Sequence, residues 1–335
     1  MRVTVVGAGS WGSALAELAG RCEHDVLLWA HDPRVAEAIE QSRSNPVYLP
    51  AAQFPANVRV TSDLDEAAAH SETVVMVTPS HHYRGVLERL AARWARPVRI
   101  VSATKGIEIE SLQRISEVSR DVLGDRLGAF AVLSGPTFAV EVSRGDPTAA
   151  VVASEDETFA ANVQEAFSCG TFRLYRSDDV AGVELGGSLK NVIAIAAGAI
   201  EGLGLGSNTL AALITRGLHE IRRLGVACGG RPETFAGLAG MGDLVLTCTG
   251  ALSRNRSVGV ALGSGKQLDE ILRETRLVAE GVKTCRAARE LASRFGVEMP
   301  ITEEMDRVLY ERESPRSAIQ RLMSRALRSE FEADR

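Results

Sequence analysis

The 335-residue chain has only five cysteines (Cys22, Cys169, Cys228, Cys248, Cys285), scattered and without a Cys-x-x-Cys pair. An odd set of this kind supports neither a disulfide framework nor a zinc site, so the expectation is a reduced protein of the cytoplasm that holds no metal. A basic excess is also missing. The formal net charge is -5 with the two signs interspersed, which argues against nucleic acid as a general partner and requires any bound anion to be held locally. No uncharged run reaches the length needed to span a bilayer, and no cleavable leader precedes the first strand-like segment, so membrane insertion is not expected. Internal repeats, low-complexity tracts and heptads are absent too. What remains, 45% apolar and 24% charged, is the composition of a globular chain long enough for two domains.

The first pattern is Arg2 to Val6, a β-branched run, leading into Gly7-Ala8-Gly9-Ser10-Trp11-Gly12 and then the helical composition of Ser13 to Ala19. In a strand, turn, helix of this spacing, Gly7 permits the tight turn, Gly9 lets a pyrophosphate approach the backbone, and Gly12 lets helix pack on strand. The N–H groups at the helix start then hold the anion. A second strand, Asp25 to Ala30, ends in Ala30-His31-Asp32-Pro33-Arg34. An acid at this strand end accepts the ribose 2′-hydroxyl of NADH, whereas a cation suits the 2′-phosphate of NADPH. Ala30 and His31 stand where the acid is expected and Arg34 lies one turn on, which favours NADPH. Asp32 keeps NADH open.

Thr73 to Thr78 and Val98 to Ala103 read as buried parallel strands, with helical stretches such as Tyr83 to Trp94 between them. This alternation predicts an α/β fold with an N-terminal Rossmann-type doubly wound sheet, whose ligands lie beyond the carboxyl ends of the strands. Pro79 and Thr104-Lys105-Gly106 fall at such ends, and so does Ser134-Gly135-Pro136-Thr137 after the apolar run Ala129 to Leu133. Thr148 to Ser154 and Phe172 to Arg176 read as closing strands. From Asp179 the pattern becomes all-helical. The expected domains are therefore 1–178, binding the dinucleotide, and 179–335, helical and substrate-binding.

Val183 to Gly206 opens the helical half as an Ala/Ile/Leu-rich stretch whose charged residues are Glu184, Lys190 and Glu201. On a helical period Val183, Gly186, Gly187, Ala194 and Ala197 share the face of Lys190. Two glycines each cost a helix about 1 kcal/mol relative to alanine, so close approach of something to the backbone is expected there. A desolvated lysine on such a face can exchange a proton near neutral pH, although a lysine at a helix edge reaching water would leave the same pattern. Further on, Gly240-Met241-Gly242-Asp243-Leu244 places one acid among glycines, with Thr247 a turn beyond and a helix N-cap as the plain alternative for Asp243. Ser253-Arg254-Asn255-Arg256 offers donors without a neighbouring acid, the chemistry that suits a phosphate.

Taken together these motifs, with Leu189-Lys190-Asn191 and Leu213-Ile214-Thr215-Arg216-Gly217, resemble the bacterial NAD(P)-dependent glycerol-3-phosphate dehydrogenases over essentially the whole chain. The resemblance implies hydride transfer between NAD(P)H and dihydroxyacetone phosphate, giving sn-glycerol 3-phosphate for phospholipid synthesis. It implies Lys190 as the catalytic proton-transfer residue, with Lys105, Gly135, Thr137, Asp243, Ser253, Arg254 and Asn255 around the substrate. Along the dinucleotide it implies Ser10, Trp11, His31, Lys105, Ala139, Arg254, Val278 and Glu280, beside the three glycines of the turn. A homodimer is common in the family. Val140, Glu201 and Ser207 depart from its usual residues without touching the proposed proton or phosphate chemistry. Two other readings compete: a related hydroxyacid or hydroxyacyl dehydrogenase, for which His219-Glu220 or a nucleophilic cysteine would be the marker, and a dinucleotide-sensing module without catalysis.

Overall fold

The structure is a computed structural model, and it describes residues 1–274, 279–327, 329 and 330. The chain divides into two compact units, Met1–Glu108 with Gln113–Glu184, and Ile109–Leu112 with Leu185–Arg335.

The first unit is built on one eight-stranded sheet. Its strands are β1 (Arg2–Val6), β2 (Asp25–Trp29), β3 (Val58–Thr61), β4 (Thr73–Met76), β5 (Val98–Ser102), β6 (Leu127–Ser134), β7 (Thr148–Ala153) and β8 (Phe172–Ser177), in the spatial order β3-β2-β1-β4-β5-β6-β7-β8. All neighbours run parallel except β6 and β7. Because side chains alternate along a strand, Val75 of β4 packs into the hydrophobic cluster on one face while Val74 and Met76 pack into the cluster on the other. Both faces are thereby covered, as a parallel sheet requires.

β3 had no counterpart in the sequence reading. It has four residues, Arg59 within it is exposed, and it lies at the sheet edge, so it carries no continuous apolar run to announce it. The cysteines bring a correction. Cys22, after the glycine-turn helix Ser10–Arg21, is disulfide-bonded to Cys169, just ahead of β8. Spacing along the sequence could not show this, because 147 residues separate the pair and only the folded sheet brings its two ends of chain together. Cys228, Cys248 and Cys285 take no part in a disulfide.

The second unit is helical. Its central helix, Val180–Gly202, starts in the first unit, and the division between units falls after Glu184. This helix is predominantly apolar, as a buried helix should be, with Glu184, Ser188, Lys190 and Asn191 as its buried polar residues. By length and composition it is the one helix among the described residues that could cross a membrane, and the whole of its apolar window is buried within the protein.

Against it lies the helix Arg254–Gly263, backbone to backbone. A Cβ on Gly198 would stand 1.9 Å from the Arg256 carbonyl oxygen, and one on Gly259 would stand 1.9 Å from that of Ile195. One turn along, Gly202 and Gly263 repeat the arrangement, at 2.3 Å from the Val260 oxygen and 2.4 Å from the Ala199 oxygen. Four glycines, two on each helix, thus form a seam that no side chain can enter. Gly186 is tight as well, its Cβ position lying 2.8 Å from the Ala239 oxygen. The glycine-rich face therefore admits other helices of the same unit.

Candidate functional site

At the glycine turn the three glycines divide the work as their spacing demands. Gly7 has φ +118° and its Cβ position is 2.8 Å from the Val77 carbonyl oxygen, while a Cβ on Gly12 would lie 1.8 Å from the Gly7 oxygen. At Gly9 a Cβ would meet no atom within 4 Å, which leaves that backbone open. Gly9 is also the N-cap of the helix Ser10–Arg21 and supplies no side-chain acceptor for the first N–H groups. Among the described residues, Trp11 Nε1, Thr78 Oγ1 and Ser134 Oγ are buried polar atoms without a hydrogen-bond partner. They follow the carboxyl ends of β1 and β4 or end β6. Buried polar groups are ordinarily paired, so orphans gathered along this edge fit a long polar ligand such as a dinucleotide.

Beyond β2, His31 is exposed, with its ring 5.7 Å from that of Trp29. Asp32 and Arg34, read as competing signs for NADH and NADPH, are bonded to each other. Arg34 donates through Nε to Asp32 Oδ1 at 3.0 Å and through a terminal nitrogen to Oδ2 at 2.7 Å. Asp32 also caps the helix Pro33–Ser42 by accepting from the Arg34 backbone N–H. The Arg34 guanidinium holds the Asp32 carboxyl below its ordinary range. Each charge blunts the other, so this strand end bars neither cofactor outright.

The strand-end residues assigned to substrate in this unit converge on one atom. Lys105 Nζ and Thr137 Oγ1 each donate to the Gly135 carbonyl oxygen at 3.1 Å. Gly135 has φ +148°, and its Cβ position would be 2.9 Å from Ala150 Cα, so only glycine serves there. Ala139 opens the short helix Ala139–Arg144 immediately after.

In the helical unit Lys190 is 5% exposed, Asp243 1% and Thr247 5%. The Lys190 ammonium is paired with Asp243 Oδ1 and donates to Thr247 Oγ1 at 2.8 Å. Thr247 in turn donates to the Asp243 carbonyl oxygen at 2.6 Å. Lys190 is therefore not a lysine reaching for water. Asp243 is not an N-cap either: Gly242 holds that position, at the end of a π-helical turn Leu238–Gly242 that runs into the helix Asp243–Thr249. Asp243 and Thr247 lie one turn apart within that helix, on the face that meets Lys190.

The same two helices, Val180–Gly202 and Arg254–Gly263, carry a second contact. Asn255 Nδ2 donates to Asn191 Oδ1 at 3.0 Å, and its Oδ1 accepts from the Gly281 N–H at 2.9 Å. Arg254 stands beside it, and burial lowers the pKa of its guanidinium while the charge of Glu280 offsets part of that. Arg256 pairs with Glu201, so the donor cluster does have acids near it, Glu201 and Glu280, both distant along the chain. Ser253 is the N-cap of the helix and accepts from the Arg256 N–H at 3.2 Å. Val278 lies outside the described residues. Asn191 was visible in its motif but without a role, because nothing in local spacing pairs it with Asn255.

The markers of the competing dehydrogenases are otherwise engaged. Glu220 accepts from the Ile301 and Thr302 N–H groups at 2.6 and 3.2 Å, closing the start of the helix Pro300–Tyr310. Cys248 is buried and its thiol pKa is pushed up to about 12, which suits a core thiol and not a nucleophile.

The family described as NAD-dependent glycerol-3-phosphate dehydrogenase matches in both its parts, the N-terminus over residues 2–160 and the C-terminus over residues 179–320. The chain belongs to this family. It is 52% identical over 333 residues to a glycerol-3-phosphate dehydrogenase [NAD(P)+] of Syntrophotalea carbinolica, covering 99% of this chain and 100% of that one. With the enzyme of that name from Geobacter sulfurreducens it shares 52% over 330 residues, 98% of each chain. The crystal structure of glycerol-3-phosphate dehydrogenase from Coxiella burnetii superposes with a TM-score of 0.93 at 39% identity, covering 97% of this chain and 99% of that one. The protein is thus an NAD(P)-dependent oxidoreductase of the glycerol-3-phosphate dehydrogenase family, which sets aside the sensing module.

Proposed function

We propose that in the reduction of dihydroxyacetone phosphate to sn-glycerol 3-phosphate Lys190 stabilises and protonates the substrate oxygen, while the glycine turn seats the cofactor pyrophosphate. The observation that carries the reading is the buried Lys190–Asp243–Thr247 cluster. A buried ammonium needs a counter-charge, and Asp243 supplies it. Asp243 and Thr247 also fix the direction of Nζ. Nicotinamide, when bound, supplies the hydride. Negative charge then grows on the carbonyl oxygen, and an ammonium held in place can stabilise it and donate its proton.

Arg254 is the phosphate ligand in this reading. Its guanidinium offers a donor fork matched to phosphate oxygens, and burial removes the water that would otherwise compete for it. Asn255, tied through Asn191 and Gly281, stands beside it with a second amide hydrogen for the phosphate. Ser253 fixes the start of their helix. Lys105 and Thr137, drawn together on the Gly135 carbonyl, serve the substrate side of the first unit. His31 with Ser10, Trp11 and Ala139 serves the dinucleotide in the first unit, and the Asp32–Arg34 pair makes the enzyme accept both cofactors with NADPH favoured. The family resemblance alone supports a cytoplasmic homodimer feeding phospholipid synthesis.

Initial rates of dihydroxyacetone phosphate reduction, run with NADPH and with NADH, test the reading. Turnover with both and a higher kcat/KM for NADPH is expected, and Arg34→Ala should narrow the difference. Absence of turnover with either cofactor, in folded protein that binds a dinucleotide, would overturn it.

A further inference from the structure

The segment between the helix Pro33–Ser42 and β3 (Val58–Thr61) returns to the glycine turn. At its base Arg43, with φ +54°, donates to the carbonyl oxygens of Val58 and Phe54 at 3.0 Å each, and it also contacts that of Pro55. Leu49, Ala52 and Phe54 are buried in the core beneath the sheet. Asn45, fully buried, has its side chain turned to the glycine turn. Its Nδ2 donates to the Ala8 carbonyl oxygen at 2.9 Å and to Ser13 Oγ at 2.8 Å, and its Oδ1 accepts from the Tyr48 N–H at 3.1 Å. Both amide hydrogens and the amide oxygen are thus engaged. Ser10 Oγ closes the arrangement by donating to the Tyr48 carbonyl oxygen at 2.7 Å.

We infer that Asn45 is a positioning residue for cofactor binding, one that holds the Ala8–Gly9 peptide with its N–H turned toward the pyrophosphate. The peptide unit is planar and, with no cis bonds in the described chain, its C=O and N–H point in opposite directions. Drawing the Ala8 oxygen onto the Asn45 amide therefore turns the Gly9 N–H away from Asn45, at a residue where a Cβ position would itself meet no atom within 4 Å. Without that anchor the peptide can rotate and present its carbonyl dipole to an anion. A buried carboxamide suits the task because it donates to two acceptors from one nitrogen. A carboxylate of the same shape would face the Ala8 oxygen with like charge.

This inference rests on the reading that the glycine turn seats the pyrophosphate, so the test separates the two. Asn45→Ala and the near-isosteric Asn45→Asp are compared with wild type for kcat and for both KM values. Binding of ADP-ribose, which carries the pyrophosphate, and of adenosine 2′-monophosphate, which lacks it, is measured alongside. Gly9→Glu, an acid placed in the turn itself, is the control. A rise of tenfold or more in KM for NADPH is expected in both Asn45 variants, larger for Asn45→Asp. Weaker ADP-ribose binding should accompany it, with adenosine 2′-monophosphate affinity, KM for dihydroxyacetone phosphate and kcat within twofold. A merely structural role would lower thermal stability without this split between ligands. If Gly9→Glu weakens NADPH and a folded Asn45 variant does not, the role of Asn45 is overturned alone. If Gly9→Glu also leaves NADPH unaffected, the pyrophosphate reading falls and the role of Asn45 with it.

Discussion

Lys190 keeps a charge where charge is costly, and its neighbours explain how. Removing one partner of a buried ion pair typically costs about 3–5 kcal/mol because the other charge is left uncompensated, so Asp243→Ala should lower the urea midpoint sharply as well as abolish turnover. Lys190→Ala should behave differently: kcat falls by roughly 10²–10⁴-fold, the usual weight of a positioned acid, while NADPH affinity by fluorescence titration stays within twofold. Comparable turnover in Lys190→Ala would remove its proposed role. Arg254→Ala should raise KM for dihydroxyacetone phosphate far more than for unphosphorylated dihydroxyacetone, and equal effects on the two would sink the phosphate assignment. At this scale the sequence reveals one partner at a time. Lys190 stood out as a lone cation among small apolar residues, but its acid lies 53 residues away and no periodicity links them. Asn45 was invisible for the same reason: its acceptors, Ala8 and Ser13, lie 37 and 32 residues earlier.

Elements were more legible, because their signals are local. The β-branched runs became β1, β4 and β5, and the Ala/Ile/Leu stretch became the buried central helix, whereas the short edge strand β3 was missed. Two buried carboxylates within these elements set the response of the fold to pH. Burial pushes the pKa of Glu184 and of Glu220 up to about 7. Glu184 is held by Arg114 and Ser116, and Glu220 by the start of the helix Pro300–Tyr310. A carboxyl whose native pKa lies above its unfolded value binds more protons in the native state between the two. Its contribution to stability is therefore complete below about pH 4.5 and is lost as pH rises to about 7, by up to about 1.4 kcal/mol per unit for each group. Urea unfolding between pH 5 and 7.5 should show this decline, and Glu220→Gln should flatten it; an unchanged slope in the variant would contradict the assignment. The glycine seam makes a further demand. Gly259→Ala must push two backbones apart, at about 1–3 kcal/mol for overpacking, and should also raise KM for dihydroxyacetone phosphate because Arg254 moves with its helix.

On the scale of the whole molecule, fold class was readable from alternation of strand and helix, since a parallel sheet covered on both faces leaves that imprint on composition. The cysteine reading failed because proximity is a property of the folded chain. Closing a loop of 147 residues restricts the unfolded chain, and such a cross-link contributes typically about 2–4 kcal/mol. Cys22→Ser, or treatment with a reductant, should lower the melting temperature of the wild-type protein, while Cys22→Ser should respond no further to reductant. An equal response of both proteins would place the effect elsewhere.

The seam between the helices Val180–Gly202 and Arg254–Gly263 has a consequence for heredity. A clash with a neighbouring side chain can be relieved by shrinking that neighbour, but at Gly198, Gly202, Gly259 and Gly263 the obstructing atoms include carbonyl oxygens, which every amino acid possesses. A damaging substitution there should yield revertants at the same codon and few suppressors among the facing residues.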